Sequence, residues 1–422
     1  MSGFQLAGLL LTIIAVLGYI NHRFVRLPDT VGITAVGMVL SIALLILGHL
    51  KVMPLLDEAQ NFVKSFEFSD LVFNGFLGLL LFAGALHVDL RAIRDHKWSI
   101  LVLATLGVIM STAIAGTGLY LLLQWSGIKL SILWCLAFGA LISPTDPVAV
   151  LSILKTSKIP QSLEDKITGE ALFNDGVAVV LFMTLVGLAS GTNKDPSITG
   201  VAWLLVNEIF GALIVGGVLG FAATWLLNRI DSHAVEIFIT LSLATAGYAF
   251  ADAVHASPAL AVVVMGLVVG SNGFRTYTSQ KVRNHLFEFW DLLDELLNLV
   301  LFGLIGMMVL ALEIKAKHIA IGFATVLIVL GARYLSVGIP LGAFRATELS
   351  RGLRAKILTW AGLRGGVSIA LALALPNFAG RSLIQTITYI VVAFSLLIQA
   401  TTIKRYVNRW LPKPKEETGE LL

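Results

Sequence analysis

Apolar stretches long enough to cross a bilayer recur thirteen times along this chain, at 4–20, 29–50, 70–88, 98–125, 130–154, 167–190, 200–227, 234–253, 257–271, 287–312, 318–343, 357–376 and 382–403. A helix needs about 20 residues to span the hydrocarbon, and in lipid it must satisfy its own N–H and C=O groups. The expected fold class is therefore all-α and polytopic, with about 13 transmembrane helices. The ninth stretch is short, and the segment from Val52 to Phe68 reads as an amphipathic surface piece. The first stretch, Phe4 to Ile20, has no basic region before it and no small-residue cleavage site after it, so it reads as a retained span.

Composition agrees with a membrane chain. Hydrophobic residues make up 57% and charged residues 13%, against about 25% charged in soluble domains. The net charge of +4 does not point to nucleic acid, because the basic residues sit in twos and threes in the connections. Alternate connections carry 21 and seven Lys and Arg. The richer set belongs in the cytoplasm, which puts the N-terminus outside and the C-terminus, with Lys413 and Lys415, inside. The lone Cys135 excludes a disulfide framework and a thiolate cluster. No nucleotide loop is present and the histidines lack ligand spacing, so no nucleotide, cofactor or metal centre is expected.

Arg333 and Arg364 are the two basic residues inside spans. A charge at the bilayer centre costs from ~3 to above ~10 kcal/mol, which marks it as functional by default. Their candidate partners are Asp146 in SPTDPVAV and Glu170 and Asp175 in GEALFNDGVAVVLF. Thirteen spans permit two inverted six-helix repeats around a linker span, and the fifth span of each repeat carries helix-breaking residues. Pro144 and Pro147 interrupt one, and Gly362, Gly365 and Gly366 interrupt the other. Interrupted spans at matching positions point to a transporter's binding site. Asp146 and Arg364 fall in the two breaks, where each can face half-helix ends of opposite sign.

Glu170 and Asn174 are four apart and share a helix face, whereas Asp175 is turned about 140° from Glu170. Two arginines against three carboxylates leave one acid over, and a buried carboxylate without an ion partner can take up a proton near neutral pH. Na⁺, a hard cation that wants oxygen ligands, competes for the same group with Thr145, carbonyls freed by the break, and water. Counting leaves open which acid is spare. Asn174 offers Asp175 a neutral polar neighbour, and Arg333 has Glu170 as its expected mate in a structural pair.

Other polar residues have simpler readings. Asp252 and His255 fall in a solvated loop, and Glu208 lies near the outer interface. Glu288, Asp291, Asp294 and Glu295, in FEFWDLLDELLN, read most simply as an interfacial helical turn and more sharply as a cytoplasmic cation funnel.

The pieces SPTDPVAV, GEALFNDGVAVVLF, GARYLSV, GLRGGVSIALAL, ALHVDLR and FWDLLDELLNLVLFGLIG give the chain a resemblance to the bacterial NhaP-type sodium/proton antiporters. These are relatives of the animal NHE exchangers within the monovalent cation/proton antiporter superfamily. The resemblance implies a homodimer in the bacterial inner membrane serving pH homeostasis, with crossed discontinuous helices of the NhaA and NapA kind. It implies one transporter domain over 1–412, followed by a short cytoplasmic tail over 413–422. Within the domain, spans 1–3 and 8–10 form the dimerisation part, span 7 a linker, and spans 4–6 and 11–13 an ion-translocating core that moves as an elevator. Asp175 then resembles the exchanging carboxylate and Na⁺ ligand, Asn174 its companion, Glu170 and Arg333 a stabilising pair, Thr145 (a second Na⁺ ligand) and Asp146 the first break, and Arg364 the crossover cation. An Asn before the Asp goes in this superfamily with electroneutral one-for-one exchange of Na⁺ for H⁺. Two departures stand out: Ala171 where many relatives carry Ser, and Ala83 near a position where they carry an acid. They leave the choice among Na⁺, Li⁺ and K⁺ open, with K⁺/H⁺ exchange as the alternative on the same scaffold.

Three other readings compete. A channel would show repeated carbonyl-filter loops, which are absent from the sequence. An intramembrane aspartyl protease could draw on Asp146 and Asp175, but the arginines and paired breaks argue against an enzyme. An organic-anion symporter would have no use for Arg333 and Glu170 tied up beside a spare acid.

Overall fold

The computed structural model describes residues 2–50, 56–66, 68–88, 90–146, 150, 161–192, 198–271, 280–312, 315–343 and 350–410. Pro147, Val52 and the tail with Lys413 and Lys415 lie outside the described residues. Every regular element among those described is helical. Ten of these helices are long and apolar enough to cross a membrane, from Phe4–Val25 at one end of the chain to Arg381–Trp410 at the other. The other three apolar stretches of the sequence carry shorter pieces: Ile132–Leu141, Pro258–Val269, and the pair Arg351–Trp360 and Gly366–Leu373. The segment before the third span forms the helix Leu56–Lys64.

Local chemistry sets the ends of these elements. Ser257 caps Pro258–Val269, its hydroxyl accepting from the Leu260 N–H, and Pro258 occupies the first helical position where no N–H is needed. The preceding turn is made by His255 in the left-handed region, φ 57°, so Val254 to Ser257 is the tight connection between two helices, with Asp252 exposed in the last turn before it.

The helices pack mainly in two groups. The first contains Asp29–His49, Leu77–His87, Ile198–Leu227, His233–Ala253, Pro258–Val269 and Gln280–Met307. The second contains Val108–Trp125, Ile132–Leu141, Gln161–Ala189, Ala316–Gly338, Gly366–Leu373 and Arg381–Phe394. Within the first, small residues let backbones touch: a side chain on Gly37 would begin 3.3 Å from the Gly306 Cα. Thr34 Oγ1 donates to the Phe302 carbonyl at 3.0 Å across the same crossing. Trp290 is fully buried against Phe82, ring centroids 4.7 Å apart, and its indole N–H donates to Thr240 Oγ1 at 3.0 Å. The Gln280–Met307 helix is thereby fixed in rotation against its neighbours.

Trp203, Phe221 and Leu327 point outward and are exposed, as helix surfaces that meet lipid should be. Along one seam between the groups lies an apolar hollow of about 560 Å³, bordered by Met38, Ile42, Ile46, Phe323 and Phe394.

Candidate functional site

Two chain breaks cross in the second group. Helix Ile132–Leu141 ends at Ile142, and Ser143 to Asp146 continue without helical structure. Pro144 explains the stop: it lacks an N–H and disfavours the α region for Ser143. On the partner strand of the crossing, Arg351–Trp360 gives way to Ala361 to Gly365 before Gly366–Leu373 begins. The Asp146 N–H donates to the Leu363 carbonyl at 2.8 Å, so one backbone bond ties the breaks together. A Cβ on Gly365 would overlap the Asp146 carboxylate; glycine is required there by close approach, not by an unusual φ.

Arg364 is almost completely buried. Its guanidinium donates to the carbonyls of Ser143 and Pro144, the latter at 2.7 Å, and its own N–H donates to Ser395 Oγ at 2.9 Å. It thus sits on carbonyls at the C-terminal end of Ile132–Leu141, where partial negative charge collects. Asp146 lies against Gly365, the cap of Gly366–Leu373, at the opposite kind of helix end.

Among the buried polar side chains of the Gln161–Ala189 helix are Glu170, Asn174 and Asp175. Glu170 Oε1 lies 2.5 Å from Arg333 Nη1, a buried ion pair to the Ala316–Gly338 helix. Asn174 is turned to the break: its amide donates to Thr145 Oγ1 at 2.7 Å, and its carbonyl accepts from the Thr145 N–H at 3.4 Å. It ties the long helix to the crossing, whereas the sequence offered it only as a polar neighbour of Asp175. A side chain's partner depends on what the neighbouring element brings, and the Thr145 backbone, released from helix, needs an acceptor.

Asp175 faces elsewhere. It lines a cavity of about 90 Å³ together with Thr145, Asp146, Asp294 and Asn298, room for about three waters. Its Oδ1 is buried and has no hydrogen-bond partner. Ala171 lines the same cavity, a methyl where a hydroxyl would reach it, and Gly84 rather than Ala83 lines the wall contributed by Leu77–His87. Sequence reasoning read Asp294 as part of an interfacial turn or, more sharply, of a cytoplasmic cation funnel, and it did not consider Asn298. The signal that would have found them is spacing: Asp291, Asp294 and Asn298 are three and four apart, a polar stripe on one helix face running inward. A small cavity lined by carboxylates can hold a cation with some of its water, and it repels an organic anion.

Known proteins resemble this chain over nearly its whole length. The family described as "Sodium/hydrogen exchanger, transmembrane" matches residues 11–409. The chain is 42% identical over 410 residues to the Na⁺/H⁺ antiporter NhaP of Pseudomonas aeruginosa, covering 96% of each. It is 31% identical over 415 residues to the Na⁺/H⁺ antiporter NhaH of Halobacillus dabanensis, covering 95% of this chain and 96% of that one. The solved structure of the sodium proton antiporter MjNhaP1 from Methanocaldococcus jannaschii at pH 8 superposes with a TM-score of 0.77, covering 98% of this chain and all of that one. At 19% identity that match is a likeness of fold.

Proposed function

Because the chain belongs to the sodium/hydrogen exchanger family, we propose that it is a secondary antiporter exchanging one Na⁺ for one H⁺, with Asp175 carrying either in turn. The observation that carries this reading is the contrast between two acids five residues apart. Glu170 is held by Arg333, whereas Asp175 has a buried oxygen without a hydrogen-bond partner beside a cavity of about 90 Å³. A proton on Asp175 neutralises it; Na⁺ takes the ionised form, with Thr145, Asp146 and freed carbonyls of the break as neighbouring oxygens. Arg364 and Asp146 balance the crossed helix ends, and Glu170 with Arg333 braces the core. One exchanging carboxylate makes the cycle electroneutral.

The second helix group is the moving core and the first the dimerisation part, with Ile198–Leu227 as linker. The packing of helices within their own groups supports a rigid-body motion of one past the other. Thirteen spans in two inverted repeats, a homodimer in a bacterial inner membrane, and an outside N-terminus complete the reading. Proteoliposomes with an imposed pH gradient, tested with Na⁺, Li⁺ and K⁺ in turn, should show cation-dependent proton movement that Asp175→Asn abolishes while the variant still folds. Full exchange in that variant would overturn the assignment, and exchange with K⁺ in place of Na⁺ would select the alternative cation.

A further inference from the structure

The cavity beside Asp175 has walls of two origins. One wall comes from the crossing segments and the Gln161–Ala189 helix. The other comes from the first group, where Leu77–His87 contributes only Leu77, Leu80, Leu81 and Gly84, and Gln280–Met307 contributes Asp294, Asn298 and Leu301. Asp294 is thus the carboxylate that the first group presents to the cavity among its described lining residues. Its position is well fixed. Trp290, one turn before it, is clamped by Phe82 and Thr240, and the Asn298 amide donates to the Asp294 carbonyl at 2.8 Å.

Burial grades along this helix face. The Asp291 carboxylate is 67% exposed and lies 3.0 Å from His87 Nε2; Asp294 is half-buried, and Asn298 is buried. Asp294 lies about 21 Å along the helix from its Gln280 end. The stripe therefore leads from an exposed end to the cavity lined by Asp175, whose buried oxygen has no hydrogen-bond partner.

We propose that Asp294 is the receiving carboxylate for the cation: it draws Na⁺ into the cavity opposite Asp175 in the facing seen here, and it stays behind when the core carries the ion away. This rests on the reading of Asp175 as carrier and of the second helix group as the moving part. Its consequence is an asymmetry between the two sides of the membrane. The site is built from Asp175, Asp146 and Thr145 in either facing, but a further negative charge borders it in only one. An added charge bordering a wet, partly buried site changes cation affinity by about tenfold. The favoured side is the one reached past Glu288 and Asp291, at the helix end that carries Lys281 and Arg283.

The test compares everted with right-side-out membrane vesicles containing the full chain, with Na⁺ as the probe, at alkaline pH where protons do not compete. Asp294→Asn should raise the half-saturating Na⁺ concentration about tenfold on the face reached past Asp291, and leave the other face unchanged. The final Na⁺ gradient sustained by a given pH gradient should stay the same, because the charge alters affinity and not stoichiometry. Asp294→Glu, which keeps the charge, should retain the asymmetry, and Asp294→Ser serves if the Asn variant does not reach the membrane. An equal rise on both faces, or none on either, would overturn the proposal. Exchange persisting in Asp175→Asn would instead overturn the underlying carrier assignment, so the two failures are distinct.

Discussion

Tyr389, on the Arg381–Phe394 helix, donates its hydroxyl to the Ile305 carbonyl on Gln280–Met307 at 3.1 Å. The bond runs between the two helix groups, within a membrane-embedded seam whose other neighbours are largely apolar. The Ile305 carbonyl also belongs to a helix, so the tyrosine is an added donor.

Tyr389→Phe removes this bond without opening a cavity. Losing one hydrogen bond of this kind costs about 1 kcal/mol, so the balance between facings should shift by up to about fivefold while thermal stability changes little. Turnover and melting temperature measured together check it. A melting loss with unchanged turnover would mean that the bond serves folding alone.

Breaking the buried pair should act chiefly on stability. Glu170→Gln or Arg333→Ala leaves one charge buried without its partner, at a cost of roughly 3 to 5 kcal/mol. Replacing both residues by apolar ones of similar size should recover much of that loss, and a double-mutant cycle in detergent reads it. Stable single variants with altered Na⁺ affinity alone would exchange the roles given to Glu170 and Asp175.

With Asp175 as the single carrier proposed above, competition at one carboxylate fixes the sign of the pH dependence. As pH falls below the pKa of the site, protons occupy Asp175 and the half-saturating Na⁺ concentration should rise about tenfold per unit. The maximal rate at saturating Na⁺ should hold nearly constant. Solid-supported-membrane recordings should show no sustained net charge movement; a steady current would bring in Asp146 or Glu170 as a second carrier.

Gly365→Ala tests the crossing itself. Its methyl would overlap the Asp146 carboxylate, and forced separation of packed segments typically costs about 1 to 3 kcal/mol. Exchange should fall sharply even where the protein still assembles. Gly331→Ala, where an added methyl meets nothing within 4 Å, is the matched control, and loss of exchange there too would point to a general intolerance of these helices.

The broken helices were legible because proline and glycine act on their own backbone, so SPTDP and GLRGG announce interruptions without knowledge of neighbours. The pairing of Arg333 with Glu170 was legible because few groups of opposite charge lie within the spans. Asn174 was not: an amide can serve either Asp175 or Thr145 from one helix position, and the crossing decides. The place of Asp294 in the cavity wall was hidden for a different reason. Exposed Glu288, Asp291 and Glu295 surround it in sequence, and it takes tertiary packing, such as the approach of Leu301 to Gly366, to bring this level of the Gln280–Met307 helix against the breaks.

The hollow along the seam has a further consequence. Ile42, Ile46, Phe323 and Ile398 are exposed around it, an apolar lining that suits the hydrocarbon of a surrounding lipid better than water. A core that slides as proposed exchanges one oily surface for another there, so acyl chains act as a lubricant film. Chain length and membrane stiffness then become kinetic variables, tuning the speed of exchange although no lipid atom reaches Asp175.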